Sequence, residues 1–266
     1  MLKSGDPCPV VILAGGKGTR LREETDIRPK PMVCIGGKPI LWHIMRIYSH
    51  YGYTRFIIAL GYMGDVIKSY FYNYSLSNYD ITIDMSTGDV QFHRKEADDC
   101  PWTVTLVDTG LETPTGGRIK KLEPYIEGDY FMATYGDGVA NVDIAGLVKF
   151  HQAHGRIATL TAVRPKNRFG HLTIQDETVT TFQEKPVHTT AWINGGFFVF
   201  NRAVFRYLSE DMPLEGPGCA LERLAIDSEL KAYKHQGYWH CMDSYKEMLD
   251  LNQEWKSGSP GWKVWD

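Results

Sequence analysis

Val10-Val11-Ile12-Leu13-Ala14-Gly15-Gly16-Lys17-Gly18-Thr19-Arg20-Leu21, followed shortly by Arg28-Pro29-Lys30-Pro31-Met32, is the stretch on which the fold turns. Four apolar residues, Val10 to Leu13, have the length and composition of a short buried strand, and glycines then interrupt the run. A helix starts poorly on Gly15-Gly16. A loop forms there readily, with exposed amides and little side-chain bulk, and phosphate oxygens can approach its backbone N–H groups closely. Arg20 and Lys30 bring two cations to the same neighbourhood. The pattern is neither the P-loop, which needs Gly-Lys-Ser/Thr at a set spacing, nor the Rossmann Gly-x-Gly-x-x-Gly. A plain glycine turn after a strand is the bland alternative, and it leaves Arg20 and Pro29-Lys30-Pro31 unexplained.

The chain has 266 residues, of which 43% are hydrophobic and 23% charged, so one α/β domain spanning 1–266 can bury a full core. A net charge of −3 supplies no basic field for nucleic acid. No apolar run approaches the roughly 20 residues of a membrane helix. Met1 to Pro9 is short, polar and proline-containing, which fits a flexible leader and not a signal peptide. The five cysteines, Cys8, Cys34, Cys100, Cys219 and Cys241, are scattered and lack a Cys-x-x-Cys pair. That usage fits thiols in a reducing cytoplasm better than disulfides or zinc.

Downstream, Ile40, Leu41, Ile44, Met45, Tyr48 and Tyr51 recur at helical spacing behind Pro39, and Gly52 stops the run. Arg55 to Leu60 reads as a strand and Asp65 to Tyr74 as a helix. This alternation predicts an α/β fold with a mostly parallel, Rossmann-like sheet and helices on both faces. Residues 78–95 break the rhythm with alternating Ile81, Ile83, Met85, then Val90 and Phe92 across Thr87-Gly88, the pattern of a β-hairpin insertion. Further strands are expected at Thr103–Val107, Tyr130–Tyr135 and Ala158–Val163, with a second antiparallel pair turning at Asp176-Glu177. Helices are expected at Ile144–His154, Leu221–Leu230 and Tyr245–Trp255, and a Trp-rich tail completes 245–266.

Asp137, between Gly136 and Gly138, follows an apolar strand, where open α/β sheets place their ligands. It can hold a metal, or simply form a turn. Asp243 follows a shorter strand and is either a second metal ligand or the N-cap of the next helix. Two such carboxylates suit Mg2+, which fills its shell with phosphate oxygens and water. Glu184-Lys185 at a strand end is a solvated pair or a binding pair. Asn194-Gly195-Gly196 interrupts an apolar run as a β-bulge or because a ligand approaches the backbone there. Thr109-Gly110 and Thr115-Gly116-Gly117-Arg118 read as a polar, glycine-rich loop. His43, His151 and His154 lack partners at ligand spacing and read as packing or surface residues.

The Gly15-Gly16-x-Gly18-Thr19-Arg20-Leu21 segment and the Pro29-Lys30-Pro31 after it resemble the sugar-nucleotidyltransferases, in which the first strand ends in this motif pair. The similarity runs from Val10 to Asp266. Tyr135-Gly136-Asp137-Gly138-Val139 and Trp192-Ile193-Asn194-Gly195-Gly196-Phe197-Phe198 are most similar to family members that use CTP and glucose 1-phosphate. The resemblance implies a nucleotide-diphospho-sugar transferase fold and formation of CDP-glucose and pyrophosphate. It implies that Lys30 and Arg20 act on the reacting phosphates. It places the nucleotide on Leu13, Ala14, Gly15, Gly16, Gly18, Thr19, Arg20 and Lys30, and on Thr109, Gly110, Thr115, Arg118, Gly136 and Asp137. The sugar 1-phosphate falls to Glu184, Lys185, Asn194 and Gly195, and Mg2+ to Asp137 and Asp243. The resemblance also implies a homo-oligomer, with the 78–95 hairpin and the tail as candidate contacts. Two segments depart from the family. Glu215-Gly216-Pro217-Gly218-Cys219-Ala220-Leu221 stands where a Trp-Glu-x-Glu-Pro-Leu type segment is usual, and Ser244-Tyr245-Lys246-Glu247 where Thr-Leu-Arg-Asp is usual. They leave open a different phosphorylated acceptor, sugar or not, and a non-catalytic nucleotide-binding relative.

Overall fold

The structure is a computed structural model that describes residues 8–93, 100–165, 171–183 and 191–265. The expected leader falls largely outside the described residues, as do the end of the first hairpin and the segment holding Glu184 and Lys185. One eight-stranded sheet dominates, in the order Ile193–Asn194, Ala158–Val163, Phe198–Asn201, Tyr130–Tyr135, Val10–Ala14, Arg55–Leu60, Thr103–Asp108, with Leu230–Lys234 pairing on the other side of Ala158–Val163. Val10–Ala14 runs parallel to both neighbours, pairing Leu13 with Ala59 and with Tyr135.

The central strand is buried throughout, because both faces are covered. Val10, Ile12 and Ala14 pack with Ile40, Ile44 and Tyr48 of the helix Ile40–His50. Val11 and Leu13 point the other way, onto Ile119, Leu122, Phe205 and Leu224. Each fully buried Leu or Ile contributes roughly 1.5–3 kcal/mol, so neither face can be given up.

The parallel α/β expectation holds, with four local corrections. Phe198–Asn201 is antiparallel to Tyr130–Tyr135, so the sheet changes direction beside the central strands. Leu230–Lys234 is a strand, although its apolar start reads as the end of the preceding helix, which spans only Ala220–Ile226. Exposed Lys231 and Lys234 mark an edge strand. Thr115–Lys121 is a helix and not a loop. Its glycines face other backbone: a Cβ on Gly117 would lie 2.0 Å from the Glu210 carbonyl, and one on Gly116 2.5 Å from that of Met212. Finally, the tail folds onto its own chain. Trp262 is fully buried, and its indole N–H donates to His43 Nδ1 at 3.4 Å. His43 also meets the Trp42, Trp255 and Trp265 rings.

The hairpin lies at Asp80–Ile83 and Val90–His93 and leaves Ile83, Val90 and Phe92 exposed. Among the described residues no helix is long and apolar enough to cross a membrane, and all five cysteines are unpaired.

Candidate active site

At the carboxyl ends of the parallel strands lies a cleft of about 490 Å³. Its floor is the strand end Leu13-Ala14 and the loop Gly15 to Gly18, continued by Thr19 and Arg20. Gly18 has φ +62°, which a side chain rarely adopts, and Thr25 Oγ1 donates to its carbonyl. Gly16 has open space where a Cβ would stand, so its backbone faces the cleft. Gly15 has none, because a Cβ there would enter the Arg118 guanidinium.

Arg118 explains how the cleft holds its shape. It is 4% exposed and donates to the carbonyls of Leu60, Gly110 and Leu111 at 2.7–3.0 Å, to the Gly15 carbonyl at 3.1 Å and to Thr109 Oγ1 at 2.6 Å. These bonds tie the glycine loop to the 109–118 wall. Thr109 is buried behind that wall, and Gly110, at φ +92°, turns the chain around the guanidinium. Arg118 and Thr115 do line the cleft. The Thr115 hydroxyl oxygen, however, accepts the Leu214 N–H at 2.9 Å. Across the mouth, Lys17 and Glu112 form an exposed ion pair at 2.6 Å, a contact that no motif announces.

Opposite the loop, three charged residues converge. Pro29 and Pro31 frame Lys30 in a short 3-10 turn whose fixed backbone aims its side chain into the cleft. Gly136 must be glycine: a Cβ would lie 2.8 Å from the Leu13 carbonyl and 2.9 Å from Pro31. This close approach delivers Asp137 beside Lys30, with Nζ 2.7 Å from Oδ2. Asp243 arrives by another route. Trp239–Cys241 pairs with Gly138–Ala140, and the Met242 N–H donates to the Asp137 carbonyl. Lys30 Nζ then stands 2.6 Å from Asp243 Oδ1, and Arg20 is 3.0 Å from the same oxygen. Burial alone would push the Lys30 ammonium down; Asp137 and Asp243 outweigh it and hold the group above the ordinary lysine range. Burial likewise opposes ionisation of Asp243, and Lys30 and Arg20 outweigh that, holding it below the ordinary carboxylate range.

The helix-cap reading of Asp243 is corrected. Ser244 is the N-cap of Tyr245–Lys256 and forms a capping box with Glu247, whose carboxylate also accepts the Asp243 N–H. The Ser244–Glu247 departure is therefore a helix start that leaves the Asp243 side chain to the cleft. Cys241, pushed up to about 12 by burial and then by Asp243, donates weakly to Asp243 Oδ2 at 3.6 Å.

Among the described residues no group of three or more His, Cys, Asp or Glu converges. The two carboxylates nevertheless close on one cation, the Lys30 ammonium. That arrangement suits magnesium, which takes few protein oxygens and completes its shell from phosphate and water.

The second wing of the site begins at Asn194. Ile193–Asn194 and Phe198–Asn201 both pair with Ala158–Val163, and the register slips between them across Gly195-Gly196-Phe197. The bulge is real, with Gly196 at φ +75° and buried Phe197 at φ +48°. It also carries polar groups toward the cleft. Asn194 Nδ2 donates to the Tyr135 hydroxyl and to Glu215 Oε2, each at 3.0 Å. Trp239 Nε1 holds the Gly195 carbonyl at 2.8 Å. Tyr135 lines the cleft, and although the Tyr135–Val139 and Glu215–Leu221 stretches stand out in the sequence, neither Tyr135 nor Glu215 is among the expected site residues.

Known proteins are similar to this chain in sequence and in fold. The family model described as nucleotidyl transferase matches residues 9–256. The glucose-1-phosphate cytidylyltransferase of Salmonella typhi is 50% identical over 259 residues, covering 96% of this chain and 99% of that protein. The probable glucose-1-phosphate cytidylyltransferase of Bacillus subtilis is 45% identical with the same coverage. Among solved structures, HddC from Yersinia pseudotuberculosis superposes with TM-score 0.65 at 25% identity over 94% of this chain and all of that one. The inositol-1-phosphate CTP transferase from T. maritima, 17% identical, shares the fold at TM-score 0.62 over 96% of this chain and 98% of that one. With a glycine-loop cleft of this geometry and a family match from residue 9 to residue 256, the chain belongs to the nucleotidyl transferase family.

Proposed function

We propose that the protein transfers a cytidylyl group from CTP to glucose 1-phosphate, giving CDP-glucose and pyrophosphate. The observation that carries this reading is the meeting of Lys30, Asp137 and Asp243 opposite the Gly15–Gly18 loop. Near-complete alignment with cytidylyltransferases at up to 50% identity supports CTP as donor and the glucose ester as acceptor.

The sugar phosphate is already an anion at neutral pH, so its oxygen attacks the α-phosphorus of CTP in line without a general base, and pyrophosphate leaves. The obstacle is repulsion, about 4 kcal/mol per pair of unit charges 4 Å apart at an effective dielectric near 20. The loop amides and Arg20 hold the triphosphate. Lys30 leaves its carboxylates for the α-phosphate and stabilises the charge that grows there. Asp137 and Asp243 would hold Mg2+, whose charge offsets that of the phosphates. Glu184 and Lys185 take the acceptor on the strength of the Glu-Lys-Pro motif alone, and Asn194 and Gly195 border the same side. Exposed Ile83, Val90 and Phe92 on the hairpin support a homo-oligomer, and five unpaired cysteines support a cytoplasmic setting.

The test is pyrophosphate release with Mg2+, using CTP, UTP, dTTP and ATP against a panel of phosphorylated acceptors. Fast release only with CTP and glucose 1-phosphate is the expected result. CTP-dependent release with another acceptor would reassign the substrate, and nucleotide binding without release from any pair would make the chain a non-catalytic relative.

A further inference from the structure

Glu215 sits in a segment that departs from the family, yet its carboxylate is joined through Asn194 to Tyr135 in the cleft wall. Its placement is built from behind. Gly117 N–H donates to the Met212 carbonyl, Leu214 N–H donates to Thr115, and Leu214 is fully buried. The glycine face of the Thr115–Lys121 helix thus seats residues 210–214, and a side chain on Gly116 or Gly117 would unseat them. Immediately beyond, Gly216 turns at φ +111° and Gly218 at φ +70°, which leaves Glu215 as the charged residue of this segment joined, through Asn194, to the cleft-lining Tyr135.

There the carboxylate accepts from Asn194 Nδ2, which also donates to the hydroxyl of Tyr135, whose own strand leads directly into Asp137. Asn194 spends both amide hydrogens on Tyr135 and Glu215, and its Oδ1 accepts the Gly196 N–H at 3.0 Å. The amide is therefore committed to the protein. A carboxylate has about four acceptor sites, and Asn194 occupies one. Its remaining capacity faces an exposed rim. A negative group here repels a phosphate and favours hydroxyl donors, so it belongs beside the uncharged part of an acceptor.

We propose that Glu215 is a specificity-determining residue that accepts a hydrogen bond from one hydroxyl of the sugar acceptor, with Asn194, itself anchored on Tyr135, fixing its orientation. The proposal rests on the acceptor being a sugar 1-phosphate. A hydrogen bond from a hydroxyl to a charged group is worth about tenfold or more in discrimination once the bound sugar covers the carboxylate.

The experiment compares wild type with Glu215→Gln, which keeps the shape. Glucose 1-phosphate and its 2-, 3-, 4- and 6-deoxy analogues are assayed in turn with CTP, and thermal midpoints verify folding. In wild type, one deoxy analogue is expected to lose about tenfold or more in kcat/KM. In Glu215→Gln that same penalty disappears, the KM for glucose 1-phosphate rises about tenfold, and the KM for CTP does not move. An unchanged pattern of penalties, or a uniform loss over all analogues, overturns the role of Glu215 and leaves the reaction intact. No wild-type turnover of glucose 1-phosphate overturns the reaction itself, and this proposal with it.

Discussion

Lys30 and Asp243, 213 positions apart in sequence, meet at 2.6 Å, and the Lys30 ammonium is what holds Asp243 and Asp137 on one point. Without phosphates or a metal, this lysine is the counter-ion of the carboxylate pair. In the proposed reaction it faces the α-phosphate instead. One side chain thus has two partners of similar charge, and its substitution should be felt in both states.

Lys30→Met should therefore cut turnover by about two to three orders of magnitude, the range seen when a charge-stabilising group is removed from a reacting centre. It should also destabilise the ligand-free protein by roughly 1–3 kcal/mol, because two half-buried carboxylates lose their cation. Millimolar Mg2+ should restore part of that stability. Steady-state rates and thermal midpoints with and without Mg2+ check both halves. Wild-type-like turnover would remove Lys30 from the mechanism.

Asp243→Asn should shift the magnesium dependence to higher concentration without unfolding the next helix, since Ser244 and Glu247 cap it. The pH effect follows from Lys30 and Arg20 holding Asp243 below its ordinary range. A carboxylate with a depressed folded pKa contributes stability that is fully present above its unfolded value, about pH 4, and is lost as pH falls through the folded value. Wild type should consequently lose more stability than Asp243→Asn below about pH 4 in acid-unfolding curves. An unchanged magnesium titration would leave Asp243 with only a structural role.

Much of this was legible in the residues, and the gaps have physical causes. The strand Val10–Ala14 is apolar at every position because both faces are covered, and Arg55–Leu60, Tyr130–Tyr135 and Ala158–Val163 announce themselves the same way. Leu230–Lys234 did not, because an edge strand with exposed lysines lacks an apolar signature. Thr115–Lys121 is masked as a helix by glycines selected for contact with residues 210–214, a non-local demand that propensity cannot express. The clustering of Lys30, Asp137 and Asp243 was readable only as placement at strand ends. The capping box, by contrast, was spelled out in Ser244-x-x-Glu247 and would have released Asp243 from its alternative role.

Arg118 was expected to touch the nucleotide, and its bonds make it the tie between two walls. Arg118→Ala would leave the carbonyls of Gly15, Leu60, Gly110 and Leu111 without this donor. A loss of roughly 2–4 kcal/mol is expected, with a lowered thermal midpoint and weaker CTP binding. Lysine should rescue little, because an ammonium cannot span a planar fork of acceptors. Full recovery in Arg118→Lys would show that charge alone matters there.

His43 makes the tail pH-sensitive. Its Nε2 lies 2.9 Å from the Ile35 carbonyl and so carries the proton, while Nδ1 accepts from Trp262. A second proton would sit against the indole N–H inside a fully buried cluster. Burial lowers the imidazole to about 4, with the Ile35 carbonyl opposing. A base depressed on folding takes up its proton more readily in the unfolded chain, so stability is complete above about pH 6.5 and falls between there and about pH 4. The loss can reach about 3 kcal/mol over that window. Denaturant unfolding at pH 7.5, 6 and 5 should show it, and tryptophan emission should report release of Trp262. His43→Gln can still donate to the Ile35 carbonyl but does not titrate, so its stability should be lower at pH 7.5 and fall less steeply across the window, the remaining slope coming from His151, His154 and His235, which burial also lowers. A slope equal to that of wild type would place the pH dependence elsewhere.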